Sequence, residues 1–347
     1  MKIAENSVAA GGIAVVALVS LFDASMSFEA RCLLAGGFLC FFIVLFGFLY
    51  FFKSSIYRLP DPRFWLLVKS VSFAYLLFSL TLVSFTREEV MRGTSLLDSR
   101  LGVPLPEKNY AEACEIYLPL HPSGNPFFNV ADRIDIFVIA HFFGWLVKAW
   151  VLRNWSILWI TSLAFEFCEV SFNHLLPNFY ECWWDHLLLD VFGCNLLGMW
   201  CGLKLVDYLK LKRYEFFNGD YRHTLVGVAL IFLVTLIDLN LFFIKHLVHI
   251  PTSHWLMGLR TLIFTLMAAA GCAEMVDWAN RGKSDCMQVV FGCGILSLEL
   301  VAIFKWSAGH FKESMPVWIQ IIWTVLAVCT FGYLASLYFQ IAKSKRM

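Results

Sequence analysis

The sequence predicts an all-α, polytopic membrane protein, and two observations lead to that fold class. Of the 347 residues, 59% are hydrophobic and only 15% are charged, whereas a soluble globular chain carries roughly 45–50% apolar and about 25% charged residues. The apolar residues also fall in long runs, and a transmembrane helix needs about 20 such residues. The chain is therefore expected to cross a lipid bilayer many times.

About ten stretches have the length and composition of a membrane span. The first is short, but its flank carries only Lys2 and Glu5 and lacks the basic start of a signal peptide, so we count it as a span. The predicted spans lie at 8–23, 31–52, 64–86, 134–152, 155–173, 186–207, 223–246, 254–279, 287–305 and 316–341.

Basic residues in short loops predict the orientation, because they concentrate on the cytosolic side. With the tail at 343–346 in the cytosol, three further basic clusters fall on the same side, at 281–283, 210–222 and 53–63. This agreement predicts that both termini are cytosolic. The segment 87–133 and the loop 174–185, which has no Lys or Arg, then face the lumen. Without a repeat or a linker, we expect a single domain over 1–347.

Charge and cysteine spacing exclude several function classes. The net charge of +1 argues against a nucleic-acid partner. The 11 cysteines include no C-x-x-C pair, which argues against a zinc site. A G-x-x-x-x-G-K-[ST] loop is also missing from the sequence, so a reaction here would need a small free-energy change rather than a nucleotide of that kind.

Charged side chains inside a predicted span are costly and mark candidate functional sites, and four ionisable residues matter most here. They are His141, Glu166, Glu169 and Asp190. Counted along three consecutive helices at 1.5 Å per residue, all four fall within roughly 6–11 Å of the lumenal surface. The helices within 134–207 are therefore predicted to form the active site.

The surrounding residues strengthen this prediction. Glu166 and Glu169 are three residues apart and share one helix face. Clustered carboxylates repel unless a cation compensates them, and a cluster of oxygens favours calcium over zinc. Taken singly, the histidine could bridge two helices and the glutamates could reach headgroup water. Further oxygen-bearing side chains in the same block are Asn178, Glu181, Asp185 and Asn195.

Several stretches resemble the base-exchange phosphatidylserine synthases of eukaryotes. The stretches are D-I-F-V-I-A-H-F-F-G-W at 135–145, F-E-F-C-E at 165–169, L-P-N-F-Y-E-C-W-W-D-H at 176–186 and L-D-V-F-G-C-N at 189–195. The runs at 101–110 and 238–245 extend the similarity over most of the chain. The run at 101–110 is more similar to the second, ethanolamine-exchanging isoform than to the choline-exchanging first.

The resemblance implies a calcium-dependent enzyme of the endoplasmic reticulum membrane that converts phosphatidylethanolamine and L-serine into phosphatidylserine and ethanolamine. It also makes a homodimer the expected assembly, with the late spans 223–341 as its interface. By similarity, His141 is the catalytic histidine, and Glu166, Glu169 and Asp190 are metal-site positions. The other matching polar positions are assigned to substrate binding: Asn178, Glu181, Asp185 and Asn195.

Two mechanisms are open at this stage. His141 either takes the proton of the serine hydroxyl or attacks phosphorus itself to form a phosphohistidine. Two alternative functions also remain: serine exchange on phosphatidylcholine, and, from another class, a membrane cation transporter. Transport predicts carboxylates spread across the bilayer depth, whereas these crowd the lumenal third.

The predicted topology places Cys114 and Cys182 on the lumenal side, in an oxidising compartment. They are the two cysteines that lie clearly outside helices there. We therefore expect a disulfide that ties the segment 87–133 over the site.

Overall fold

The structure, a computed structural model, describes residues 27, 28, 31, 62–104 and 108–344. The predicted span 8–23, and the span 31–52 apart from its first residue, lie outside the described residues. The other eight predicted spans correspond to helices of the structure, with ends that differ by a few residues.

The described residues form ten α-helices and no β-sheet, which confirms the all-α fold class. Seven helices are long and apolar enough to cross a membrane, and the shorter α4 is also apolar. The chain is thus polytopic, while the total of ten spans and the side of the termini stay predictions. The helices are α1 (Pro62–Ser84), α2 (Arg87–Leu97), α3 (Phe128–Ala131), α4 (Ile136–Leu152), α5 (Trp155–Phe172), α6 (Leu196–Tyr208), α7 (Tyr221–Val248), α8 (Trp255–Arg281), α9 (Met287–Ser307) and α10 (Val317–Ser344).

A π-helix over Asp185–Asn195 runs directly into α6, so the two form one continuous span. In a π-helix each N–H bonds five residues back instead of four. Asp185, Asp190 and Asn195 are spaced by five and are all buried. The π-helix therefore aligns three polar side chains on consecutive turns.

The described residues divide into two compact units. The first contains α1, α2, α9, the C-terminal end of α7 and most of α8. In it, Arg260 donates to both oxygens of Glu299 at 3.1 and 2.6 Å. Tyr75 donates to the same carboxylate at 3.1 Å. Removal of either partner would leave an uncompensated buried charge, so the two residues depend on each other.

The second unit contains α3 to α6, most of α7, the C-terminal end of α8, and α10. Two of its helices, α4 and α6, approach closely at Gly198 and Gly202 of α6. A Cβ atom at either position would collide with a backbone carbonyl of α4, at Phe142 and Leu146 respectively. Small residues four apart allow such close packing of membrane helices. This contact sets α4, which carries His141, against the span that carries Asp190.

Caps and a disulfide position the segment before α4. Asp135 caps α4 by accepting a hydrogen bond from the Phe137 amide at 2.8 Å. The other oxygen of Asp135 accepts from the Tyr110 hydroxyl at 2.6 Å. Cys114 and Cys182 form a disulfide, which anchors the loop after α5 to the segment 87–133. These contacts hold both loops at one end of the helices.

Candidate active site

A cavity in the second unit lies where α4, α5, the π-helix and the tethered loops meet. It brings together most of the site residues expected from the sequence. Glu166 and Asn195 are buried beside this cavity but do not line it. The expected residues that line it are His141, Glu169, Asn178, Glu181, Asp185 and Asp190.

His141 forms the first polar pair of the cavity. Its Nδ1 lies 3.0 Å from Oδ1 of Asp190. The two groups lie at ion-pair distance without hydrogen-bond geometry, since Nδ1 has no hydrogen-bond partner among the described residues. A carboxylate at this distance would stabilise a protonated imidazole.

A second histidine organises the carboxylates on α5. His186 Nδ1 lies 3.0 Å from Glu166, 3.4 Å from Glu169 and 3.5 Å from Glu181. The other oxygen of Glu166 accepts from Asn195 Nδ2 at 3.0 Å. One imidazole nitrogen thus lies within 3.5 Å of three carboxylates, and a protonated His186 would lower their mutual repulsion.

The acidic side chains of the site fall into two groups, and the three predicted metal ligands are divided between them. Glu166 and Glu169 group with His186, whereas Asp190 groups with Glu181 and Asp185; within each group the ligand atoms lie within 4.8 Å of one another. Around a calcium ion with ligands at 2.3–2.6 Å, ligand atoms are at most about 5 Å apart. Both groups have metal-site dimensions, and the second consists of oxygens alone.

Three buried oxygen atoms of this site accept no hydrogen bond from the described residues. They are Oε2 of Glu169, Oε2 of Glu181 and Oδ1 of Asn195. Buried polar atoms are normally satisfied, and an exception calls for an ion or a water. The donor set therefore fits a hard cation near Glu169 and Glu181.

The pKa shifts of two groups outside the spans are consistent with a cation site near Glu169 and Glu181. Burial, followed by the carboxylates of Glu169 and Asp190, raises the pKa of Glu181 well above its ordinary value. A cation among these groups would favour the charged form and oppose that shift. Burial and the hydrogen bond to Asp135 also raise the pKa of Tyr110, so its hydroxyl stays protonated and donates.

Three residues of the site were not singled out by the sequence analysis. His186 ends the motif W-W-D-H, and its position next to Asp185 is the sequence feature that could have identified it. The other two residues, Tyr110 and Arg133, line the cavity. Both lie on the segment 87–133, whose path over the site depends on the tether to Cys182 and is not visible in local sequence.

Comparison with known proteins gives one consistent family. The family model described as phosphatidyl serine synthase matches residues 60–220 and 215–307. Phosphatidylserine synthase 2 of Homo sapiens is 31% identical over 312 residues, which cover 80% of this chain and 63% of the relative. Phosphatidylserine synthase 2 of Danio rerio is 31% identical over 305 residues, covering 78% of this chain and 67% of the relative.

A plant relative carries a different name. CDP-diacylglycerol--serine O-phosphatidyltransferase 1 of Arabidopsis thaliana is 32% identical over 327 residues, which cover 84% of this chain and 76% of the relative. The chain spans less than two thirds of the human relative's length. The cavity residues His141, Glu169 and Asp190 all lie within the part of the chain that the family model matches.

Proposed function

The chain belongs to the phosphatidyl serine synthase family, and from that premise we propose that it makes phosphatidylserine by base exchange. L-serine replaces the ethanolamine of phosphatidylethanolamine. The observation that carries the proposal is the pairing of His141 with Asp190 on the wall of a cavity rich in carboxylates. This arrangement supplies a proton acceptor beside oxygens that suit a cation.

His141 acts as the general base. A serine hydroxyl is a weak nucleophile at neutral pH, so an imidazole must take its proton as the oxygen attacks phosphorus. The new bond joins the serine oxygen to phosphorus, and the bond between phosphorus and the ethanolamine oxygen breaks. The proton held by His141 then passes to the departing ethanolamine oxygen. One phosphodiester replaces another, so the reaction needs no nucleotide.

A covalent route uses the same residue. His141 attacks phosphorus, the bond between phosphorus and the ethanolamine oxygen breaks, and that oxygen takes a proton from solvent. The serine oxygen then attacks the phosphohistidine, its proton passes to solvent, and the phosphorus–nitrogen bond breaks to restore the imidazole. Acid-labile labelling of the protein by a phosphate-labelled donor in the absence of serine would indicate this route. Base catalysis predicts no such label.

Calcium is the cofactor we propose for the all-oxygen group of Glu181, Asp185 and Asp190, with Glu169 beside it. When bound, calcium offsets negative charge on phosphate oxygens. The protein's own part is to hold these carboxylates together in a buried site. His186 and Asn195 fix Glu166 behind them. The substrate-binding roles of Asn178, Glu181, Asp185 and Asn195 remain proposals of the same kind.

The donor lipid is the finer part of the proposal. Similarity to phosphatidylserine synthase 2 of two vertebrates favours phosphatidylethanolamine, and phosphatidylcholine is the alternative within the same chemistry. The name of the Arabidopsis thaliana relative raises CDP-diacylglycerol as a third donor. That donor would release CMP instead of an amino alcohol, so the released product separates the possibilities.

We also propose that the site faces the lumen of the endoplasmic reticulum and that both termini are cytosolic. A disulfide between Cys114 and Cys182 is suited to an oxidising compartment. The loop that contains Cys182 carries no Lys or Arg, as expected for a lumenal loop. Ten spans in total fit this orientation.

A homodimer with its interface on the spans within 223–341 is part of the proposal. α10 lies in that region and packs little against the other described residues, since only 6% of its apolar window is buried. Crosslinking through single cysteines on α10 in native membranes should trap a dimer. Crosslinks confined to α4 would contradict this interface.

The proposed reaction is tested with purified protein and labelled L-serine, given one donor lipid at a time, with calcium or a chelator. We expect calcium-dependent labelling of lipid with phosphatidylethanolamine and release of ethanolamine. H141Q should lower the rate by about 10²–10⁴-fold, the usual contribution of a general base. H121Q removes a histidine outside the cavity, on the segment 87–133, and should keep the rate of the unaltered protein.

Three outcomes would contradict the proposal. Labelling only with phosphatidylcholine or only with CDP-diacylglycerol would show that this lipid, and not phosphatidylethanolamine, is the donor. Normal labelling by H141Q would remove His141 from both mechanisms. No labelling with any donor by the folded protein would overturn base exchange and move cation transport, measured by flux into proteoliposomes, to first place.

A further inference from the structure

One cavity residue is a permanent cation and has no part in the chemistry above. Arg133 is the one Lys or Arg side chain on the described wall of the cavity. Its side chain is 5% exposed. A guanidinium buried among carboxylates at a substrate site is a candidate for substrate recognition.

The fold holds Arg133 in place from two sides. Its NH1 donates to Asp132 at 2.9 Å. The same Asp132 oxygen lies 2.8 Å from Lys108. The guanidinium carbon also lies 5.3 Å from the centroid of the Tyr110 ring, within cation–π range. A side chain restrained in this way loses little entropy when it binds a ligand.

One donor of Arg133 is left without an acceptor. Its Nε is buried and makes no hydrogen bond within the described part of the chain. Oδ2 of Asp185 lies 3.8 Å from this Nε, which exceeds hydrogen-bonding distance. A buried N–H without an acceptor is costly. The geometry therefore leaves a place for an anionic oxygen beside Arg133.

The two amino alcohols of the proposed exchange differ in one relevant group. Both carry an ammonium and a hydroxyl, but serine also carries a carboxylate. A carboxylate that enters this cavity meets Glu169, Glu181 and Asp190, which repel it. A guanidinium compensates that repulsion and matches carboxylate geometry through paired N–H donors.

We propose that Arg133 binds the carboxylate of L-serine and so determines that serine is preferred to ethanolamine as the incoming alcohol. This inference rests on the proposed base-exchange function. Arg133 is a specificity residue, because it touches the part of serine that does not react. Two other roles for Arg133 make different predictions. If Arg133 binds the phosphate, its loss lowers the incorporation of serine and of ethanolamine equally. If it is only a counter-ion of Asp185, its loss destabilises the fold.

The test uses the full-length protein with two labelled acceptors, L-serine and ethanolamine, each exchanged into phosphatidylethanolamine. We expect R133Q to lower kcat/KM for serine by about 10- to 100-fold, mainly through KM, as for a lost hydrogen bond between charged groups. Incorporation of ethanolamine should stay within about threefold. R133K keeps the charge without the planar donors, so its kcat/KM for serine should lie between the values of R133Q and the unaltered protein.

R100Q is the matched control. Arg100 lies on the same segment 87–133, pairs with Asp98 and has a side chain that is 70% exposed, and it does not line the cavity. R100Q should leave the incorporation of both acceptors unchanged. If R133Q does not fold, the unaltered protein still tests the idea with L-serinamide, which lacks the carboxylate charge. Serine should then be preferred to L-serinamide by at least about tenfold.

Each contrary result has a distinct meaning. Equal losses for both acceptors in R133Q would assign Arg133 to the phosphate or to the fold and would overturn the inference. An unchanged KM for serine, or equal use of serine and L-serinamide, would also overturn it. Failure of the unaltered protein to incorporate either acceptor would instead overturn the base-exchange function itself.

Discussion

At the scale of single residues, the site depends on how a few buried polar atoms are satisfied. Glu166 is held on one oxygen by His186 and on the other by Asn195, each at 3.0 Å. Asn195 also donates to Ser162 at 3.1 Å and is fully buried. This asparagine therefore links α5 to the π-helix at the base of the acidic cluster.

Substitution of Asn195 by leucine should destabilise the protein. N195L keeps a similar volume but leaves the buried Oε1 of Glu166 without a donor, which costs about 1–3 kcal/mol. Thermal unfolding in detergent should show a lower midpoint. S162A removes one acceptor of the Asn195 amide and should shift the midpoint less. A midpoint for N195L equal to that of the unaltered protein would show that this link does not hold the helices.

At the scale of elements, the π-helix decides which side chains face the cavity. Residues five apart on an α-helix of 3.6 residues per turn differ by about 140° in direction. Hydrogen bonds to the fifth residue widen the turn and bring such residues onto one side. Asp185 and Asp190 both line the cavity in this geometry. A regular α-helix would turn one of them away.

Removal of one residue from the π-helix tests this statement. Deletion of Phe192, whose side chain is exposed, lets the segment return to α-helical hydrogen bonds. We expect exchange activity and stabilisation by calcium to be lost while helix content by circular dichroism is kept. F192L changes the same side chain without the register and should keep both. Retained activity in the deletion variant would contradict a role for the π-helix.

At the scale of the whole molecule, the order of apolar spans sets which loops share a side of the bilayer. The segment after α1 and the loop 208–221 are separated by three described spans, namely α4, α5 and the continuous span of the π-helix and α6. An odd number of spans places them on opposite sides in the proposed topology. Leu97 is exposed at the end of α2. Asn218 lies on the loop before α7, and Asp220 at the end of that loop is exposed.

Two glycosylation acceptors check this topology in cells. L97N creates an N-x-S acceptor at position 97, which should be glycosylated because the segment 87–133 is expected in the lumen. D220T creates an acceptor at Asn218, which should remain unmodified on the cytosolic side. The measurement is a shift in gel mobility that is removed by endoglycosidase. The reverse pattern would invert the proposed orientation and place the site on the cytosolic side.

The sequence by itself was sufficient for the spans that the structure describes. Hydropathy and length are local properties, and a bilayer of fixed thickness converts them directly into helices. It also identified several polar residues of the site, since charge within an apolar run is costly wherever it occurs. Motif similarity then indicated the family. His141, Glu169 and Asp190 were found in this way before any contact was known.

Only the tertiary structure decided how those residues pair. The division of the carboxylates between His186 and the all-oxygen group depends on the rotation of the π-helix about its axis. The approach of α4 to α6 depends on Gly198 and Gly202, whose effect exists only against a partner helix. Arg133 lines the cavity on the segment 87–133, which a disulfide joins through Cys114 to a cysteine 68 residues further along the chain. Such contacts are set by packing between distant segments, which local pattern and hydropathy do not specify.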